Sequence, residues 1–209
     1  MIRNVLLDWS GTVVDDLAPV LAATNDIFAH HGKRQFTREE FRREFSLPYE
    51  GFYTKYFPEV SLKELEGLYL EFFKKLGNDV HIIEGAREFL EFCRESGRRV
   101  FLLSAITGAH FETQAKQLGI HHYFEHPYTD VLDKRVKILE ILRDHALDPG
   151  ETIFVGDMQH DIETAKHGGV TGVAVLTGYD SLEKLARAEP PVICQSLGTL
   201  KHLMGELRI

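Results

Sequence analysis

Four apolar runs of strand length punctuate the chain, at Val5–Leu7, Val100–Leu103, Ile153–Val155 and Val173–Leu176, each bounded by polar residues or glycine. None alternates apolar with polar positions, so they suit strands buried on both faces of a parallel sheet. Between them lie segments of helical period, Ala86–Ser96, Phe111–Leu118, Val136–His145 and Asp161–His167, closed by Gly97, Gly119 and Gly168 at C-cap positions. This alternation, from about residue 82 onward, predicts a doubly wound, Rossmann-like α/β core with a parallel sheet and right-handed crossovers.

The interval from Leu17 to Val80 breaks the rhythm. It reads as consecutive helices, Leu17–His30, Arg38–Glu44 and Ser61–Leu76, the last opening on the capping-box pattern Ser61-Leu62-Lys63-Glu64. The expected organisation is therefore an α/β core of residues 1–15 and 82–209 with an inserted α-helical cap of residues 16–81. No internal repeat or low-complexity tract interrupts it.

Composition narrows the function classes. With 44% hydrophobic and 27% charged residues over 209 positions, the chain has the make-up of an ordinary globular protein. A net charge of -8 argues against a nucleic-acid partner, because that affinity comes from lysines and arginines neutralising phosphates. An acidic chain that handles phosphate must concentrate positive charge locally, with a metal ion or a few lysines. Cys93 and Cys194 both sit in apolar stretches outside any C-x-x-C spacing, so they read as reduced, buried thiols. The first apolar run is cut by Asp8 after three residues, too short for a secretory signal, and no stretch approaches a membrane span. A cytoplasmic protein with no membrane partner, monomeric or homodimeric, is the expectation.

Ligands of open α/β sheets bind beyond the carboxyl ends of the strands, which draws attention to Asp8, Ser104 and Asp157. Asp8 alone reads equally well as a turn or cap residue. It opens the tight polar loop Asp8-Trp9-Ser10-Gly11-Thr12, however, whose amides are suited to cradling an oxyanion. The segment Val155-Gly156-Asp157-Met158-Gln159-His160-Asp161 ends a strand and opens a helix, bringing two carboxylates to a place where oxygen ligands can hold a hard cation. Asp161 is also a reasonable helix cap.

In this order, Asp8-Trp9-Ser10-Gly11-Thr12, Ser104, a lysine at a helix start (Lys134), and Gly156-Asp157 with Asp161 resemble the four motifs of haloacid dehalogenase-like hydrolases. The tail, with Thr177-Gly178-Tyr179 before a helix and Pro191-Val192-Ile193 leading into Ser196-Leu197-Gly198-Thr199-Leu200, resembles the phosphoglycolate phosphatase-like branch, whose helical cap lies between the first two motifs. The resemblance implies a phosphatase for a small phosphorylated metabolite. It makes Asp8 the nucleophile that forms an aspartyl-phosphate, and Mg²⁺ the cofactor, held by Asp8, the Ser10 carbonyl and Asp157 with support from Asp161. Ser104 and Lys134 would contact the transferring phosphoryl group together with Gly11, Thr12 and Ala105, with Lys137 as the alternative lysine.

Ser10 departs from the pattern. Typical members carry an aspartate there that protonates the leaving group and then activates water, a contribution of roughly 10²–10⁴-fold that a serine hydroxyl replaces poorly. Three readings follow. The first is a phosphatase restricted to good leaving groups or recruiting another group nearby, with His160, Asp15 and Asp16 as the candidates; a phosphate-binding protein with weakened turnover is its limiting case. The second resembles phosphonoacetaldehyde hydrolases, which need a cap lysine for a Schiff base; Lys55 is the nearest one, on the segment FYTKYF. The third, a dehalogenase, is disfavoured by the paired carboxylates Asp157 and Asp161. The aromatic run Phe52, Tyr53, Tyr56 and Phe57 is expected to pack the cap's own core, and Leu47–Gly51 to form a shaped loop that governs specificity.

Overall fold

A computed structural model describes residues 1–76 and 80–207. In chain order the elements are β1 (Asn4–Leu7), β2 (Val14–Asp15), α1 (Leu17–His30), α2 (Arg38–Glu44), α3 (Tyr49–Tyr56), α4 (Leu62–Leu76), β3 (His81–Ile82), α5 (Ala86–Glu95), β4 (Arg99–Leu103), α6 (Gly108–Gln117), β5 (His126–Tyr128), α7 (Lys134–Asp144), β6 (Thr152–Gly156), α8 (Gln159–Gly168), β7 (Thr171–Val175), α9 (Leu182–Arg187), β8 (Val192–Cys194) and α10 (Leu197–Leu207). Among the described residues, six strands form one sheet in the order β5-β4-β1-β6-β7-β8. Every pairing in it is parallel, as the unbroken apolar runs require. β1 lies at the centre and is flanked by β4 and β6, so their carboxyl ends meet at the topological switch of the sheet.

The pleat divides the core in two. Val5, Leu7, Val100, Leu102, Ile153 and Val155 face α5, α6 and α10, while Leu6, Phe101, Leu103 and Phe154 face α7 and α8. The four helices α1 to α4 pack around their own aromatic cluster of Phe28, Phe41, Phe52 and Phe57, which also takes in Met158 and Tyr179 from the loops of the core. The chain enters and leaves this helical insertion through β2 and β3, an antiparallel pair of two residues each that sets Val14 against Ile82 and Asp15 against His81. Of the expected ranges 16–81 and 82–209, residues 77–79 and 208–209 lie outside the described residues.

Some elements differ from expectation. Leu47–Gly51 is not a loop: α3 begins at Tyr49 behind Pro48, so Tyr49, Glu50 and Gly51 form a first helical turn. Strands β5 and β8 did not stand out as apolar runs, because each is only three residues long and lies on a sheet edge, where β5 accommodates Pro127. The left-handed cap of α8 is Gly169, at φ 68°; Gly168 is the last helical residue, where an added Cβ would meet Ile138 Cδ1 at 2.9 Å.

Candidate active site

The pleat of β1 fixes where Asp8 goes. Leu6 faces α7 and α8, Leu7 faces away, and Asp8 returns to the side of Leu6, where Lys134 opens α7 and Asp161 lies in the first turn of α8. Lys134 Nζ stands 2.9 Å from Asp8 Oδ1 and 2.7 Å from Asp161 Oδ1, with only 1% of its side chain exposed. Lys137 instead pairs with Glu140 on the outer face of α7. The lysine that meets the strand ends is therefore Lys134. Asp133, one residue earlier, caps α7 by accepting from the Arg135 amide.

Asp157 is clamped from two sides. The Thr12 hydroxyl donates to its Oδ1 at 3.0 Å and the Tyr179 amide to its Oδ2 at 2.7 Å. Gly11 is obligatory in this arrangement: its φ is +73°, and a Cβ there would lie 2.5 Å from Asp157 Oδ2. The Gly11 and Thr12 amides donate within the loop, to Val14 and Trp9 carbonyls respectively. The two amides thus shape the loop, and the Thr12 side chain holds Asp157. Asp161 accepts from the Met158 amide as well as from Lys134, so it serves both as cap and as ion-pair partner.

Ligand atoms of the buried residues Asp8, Asp157 and Asp161 lie within 4.8 Å of one another. Among the described residues these three buried carboxylates gather around the Lys134 ammonium, which pairs with Asp8 and Asp161. Burial pushes the Asp8 and Asp157 carboxyls upward. The Asp161 charge adds to both, while Lys134 and Ser104 pull Asp8 back down. Burial alone would lower Lys134, but Asp161 and Asp8 outweigh it and hold the ammonium above the ordinary lysine range. The ion pair at Asp8 Oδ1 is close but poorly directed, leaving that oxygen without a directed hydrogen bond. An all-oxygen donor set fits a hard divalent cation.

Ser10 sits half-buried in the same loop, and its hydroxyl donates to Asp16 Oδ2 at 2.5 Å. Tyr179 donates its hydroxyl to Asp16 Oδ1 at 2.9 Å. Burial raises the Asp16 carboxyl to about 6 against the pull of those two hydrogen bonds, with the Asp8 charge contributing in the same direction as burial. Asp15, its neighbour, is exposed and accepts from the Leu17 amide. His160 is not a solvated histidine: it is buried, both ring nitrogens lack partners, and burial together with the Lys134 charge lowers it to about 4. Ser104 is buried at the end of β4, where its oxygen accepts from the Ile106 amide, and Ala105 occupies the bend that follows.

On the cap, Phe52, Tyr53 and Phe57 are buried in the aromatic cluster and Tyr56 packs against it. Lys55 points outward and pairs with Glu44 at 2.5 Å. The cap is tied to the core at the end of α2. Arg42 donates to the Asp180 carbonyl at 2.7 Å, and Lys184 donates to the Phe45 carbonyl at 2.6 Å while pairing with the Asp180 carboxylate. Asp180 in turn accepts from the Gln159 amide at the start of α8 at 2.7 Å. Lys184→Met removes the donor to Phe45 and leaves a carboxylate that is 1% exposed without its ammonium. The expected loss is roughly 1.5–3 kcal/mol, seen as a lowered urea midpoint with faster amide exchange in α2. Unchanged stability and exchange would show that the tie is idle.

Comparison with known proteins agrees with this geometry. Residues 5–175 match the family model of haloacid dehalogenase-like hydrolases. The pyrophosphatase PpaX of Bacillus velezensis is 23% identical, covering 98% of this chain and 97% of its own. A phosphoglycolate phosphatase of Pseudomonas fluorescens is also 23% identical, covering 95% of this chain and 78% of its own. Among solved structures, a predicted phosphatase from Clostridium acetobutylicum superposes with a TM-score of 0.85 at 16% identity, covering 99% of each chain. A haloacid dehalogenase-like family protein from Streptococcus pneumoniae does so with a TM-score of 0.80 at 21% identity, covering 98% of each. With its parallel sheet, its helical insertion after β1 and its carboxylates gathered at the strand ends, the chain is an enzyme of the haloacid dehalogenase-like hydrolase family.

Proposed function

We propose that this enzyme is a Mg²⁺-dependent phosphatase that acts on a small phosphorylated metabolite through an aspartyl-phosphate at Asp8. The observation that carries the reading is the placement of Asp8, a buried carboxylate at the central strand end, 2.9 Å from the Lys134 ammonium and grouped with Asp157 and Asp161. Asp8, the Ser10 carbonyl and Asp157 would hold the metal, with Asp161 steadying Lys134 beside it. Bound there, Mg²⁺ supplies positive charge to the transferring phosphoryl oxygens. Lys134 adds a second positive charge at the nucleophile, and Ser104 offers a hydroxyl to the phosphoryl group from the neighbouring strand end. The phosphatase relatives favour a phosphoglycolate-like substrate, and the named pyrophosphatase extends the class to phosphoanhydrides.

Two observations weigh against the other readings. Lys55 is engaged with Glu44 on the outside of the cap, which gives a Schiff base at that residue no support. The Ser10 hydroxyl already contacts a buried carboxylate, so the loop retains an acidic partner despite its serine. The expected result is release of phosphate from p-nitrophenyl phosphate in MgCl2, abolished by EDTA and restored by added Mg²⁺. Hydrolysis that proceeds undiminished in EDTA would overturn the assignment.

A further inference from the structure

The segment Leu176-Thr177-Gly178-Tyr179-Asp180 runs between β7 and α9 and is held from two sides. On the core side, Thr177 donates its hydroxyl to the Gly11 carbonyl at 2.6 Å. The Tyr179 amide donates to Asp157 Oδ2 at 2.7 Å and its hydroxyl to Asp16 Oδ1 at 2.9 Å. The Asp180 amide donates to the Asp157 carbonyl at 3.4 Å, and its carboxylate accepts from the Gln159 amide that opens α8. The loop after Asp8, Asp157 itself and the start of α8 therefore all lean on Thr177, Tyr179 and Asp180. On the cap side, a single nitrogen of Arg42, Nη2, donates to the Asp180 carbonyl at 2.7 Å and to the Leu176 carbonyl at 3.4 Å, bridging the two ends of the segment. Phe41 and Phe45 set their rings 6.3 and 5.8 Å from that of Tyr179. Arg42 Nε is buried without a hydrogen-bond partner. An unsatisfied buried donor is costly, and the fold tolerates it here with the guanidinium across both ends of the segment.

We infer that Arg42 is a positioning residue for the site, through which the seating of the helical insertion on the core is transmitted to Asp157 and to the Asp8 loop. For its kinetic consequence this inference rests on the phosphatase reading above. With Arg42 in place the carbonyls of Leu176 and Asp180 are held by one planar, rigid group. Thr177 and Tyr179 between them then meet Gly11, Asp157 and Asp16 in a fixed register. When Arg42 is lost, or the insertion lifts from the core, the ends of the segment part company and those hydrogen bonds lose their backing. Arg42 acts through this segment and not on the reacting atoms. What it sets is the placement of a carboxylate and of the nucleophile's loop, and phosphoryl transfer depends chiefly on such placement. The chemical step is therefore fastest with the insertion seated, and the Thr-Gly-Tyr step after β7 is the part of the core that senses it.

The test compares Arg42→Met with Phe57→Leu, which loosens the cap's packing on Phe28 and Tyr53 and leaves the hydrogen bonds of residues 176–180 in place. Exchange of the Gln159 and Tyr179 amides is followed by NMR in the metal-free protein and set against the amides of β1, which report global opening. Relative to those, it should quicken roughly tenfold in Arg42→Met, the scale of one lost hydrogen bond, and stay unchanged in Phe57→Leu. With p-nitrophenyl phosphate in MgCl2, kcat of Arg42→Met should fall by roughly 10- to 10²-fold while KM stays within about threefold of the parent. Both constants of Phe57→Leu should stay within about threefold. Arg42→Lys keeps a donor for the carbonyls and should lie between the parent and Arg42→Met in both readouts, which keeps the test open if the methionine variant folds poorly. Unchanged exchange at Gln159 and Tyr179 in the Arg42 variants would overturn the coupling. So would equal effects in Phe57→Leu, or a kinetic loss confined to KM. Undiminished turnover in Asp8→Asn would instead overturn the phosphatase reading and leave the exchange result standing.

Discussion

Lys134→Met is expected to destabilise the fold by about 3–5 kcal/mol, the usual result of leaving buried charge without its partner. The ammonium is the shared counter-ion of Asp8 and Asp161 in a site where Asp157 adds a third carboxylate. Methionine fills the space but neutralises nothing, so the carboxylates can remain buried only by holding protons. That raises their folded-state affinity for protons above the unfolded value. The cost is then fully present above the raised folded values and is relieved as pH falls through them toward the unfolded range. Urea unfolding between about pH 5 and pH 8 should show the variant losing ground to the parent protein as pH rises. A stability gap that is small and flat across that range would mean that Lys134 does not carry the charge of the cluster.

Asp8→Asn should do the reverse to stability while removing function. Without the nucleophile, turnover is expected to drop by roughly 10⁴-fold or more, since loss of the attacking group leaves only binding and electrostatics. Burial and Asp161 together raise the Asp8 carboxyl despite Lys134, so a neutral amide of the same shape is better tolerated than the charge it replaces. The metal-free variant should therefore melt above the parent near neutral pH. The advantage should shrink on acidification, because a group raised in the folded state is costly above its folded value and harmless once protonated in both states. Stability gained as activity is lost is the signature of a site strained for chemistry. A variant that is both inactive and less stable at neutral pH would argue that Asp8 holds the structure more than it serves the reaction.

Much of the candidate site was legible in the chain because buried parallel strands are apolar throughout and their chemistry is confined to their ends. Asp8, Ser104 and Asp157 each follow such a run, and Lys134 and Asp161 open the helices that return over the same face. The choice between Lys134 and Lys137 was not legible. Three residues apart on α7, they differ in which one faces the sheet, and that depends on where the helix begins. Asp16 stands among the candidates beside Ser10 with Asp15 and His160, but nothing local sets it apart from Asp15. In Val14-Asp15-Asp16-Leu17 either aspartate suits a helix cap equally well, and it is the pairing of β2 with β3, from the far side of the helical insertion, that exposes one and buries the other. The partner hydroxyl of Tyr179 comes from a loop beyond β7, which no local pattern connects to the start of α1. The same dependence on distant partners concealed β5 and β8, which are too short to announce themselves and exist because a neighbouring strand offers an edge.

The two-residue ribbon of β2 and β3 also sets a boundary for anyone who would exchange modules. Asp8 and Ser10 precede the crossing, whereas Asp16 follows β2 as the N-cap residue of α1. A chimera that replaces the insertion from residue 17 keeps the carboxylate behind Ser10, and one that replaces it from residue 16 discards it. In this chain the helical insertion and the Asp8 loop therefore meet through one hydrogen bond, and a chimera joined at residue 16 removes the acceptor of the Ser10 hydroxyl.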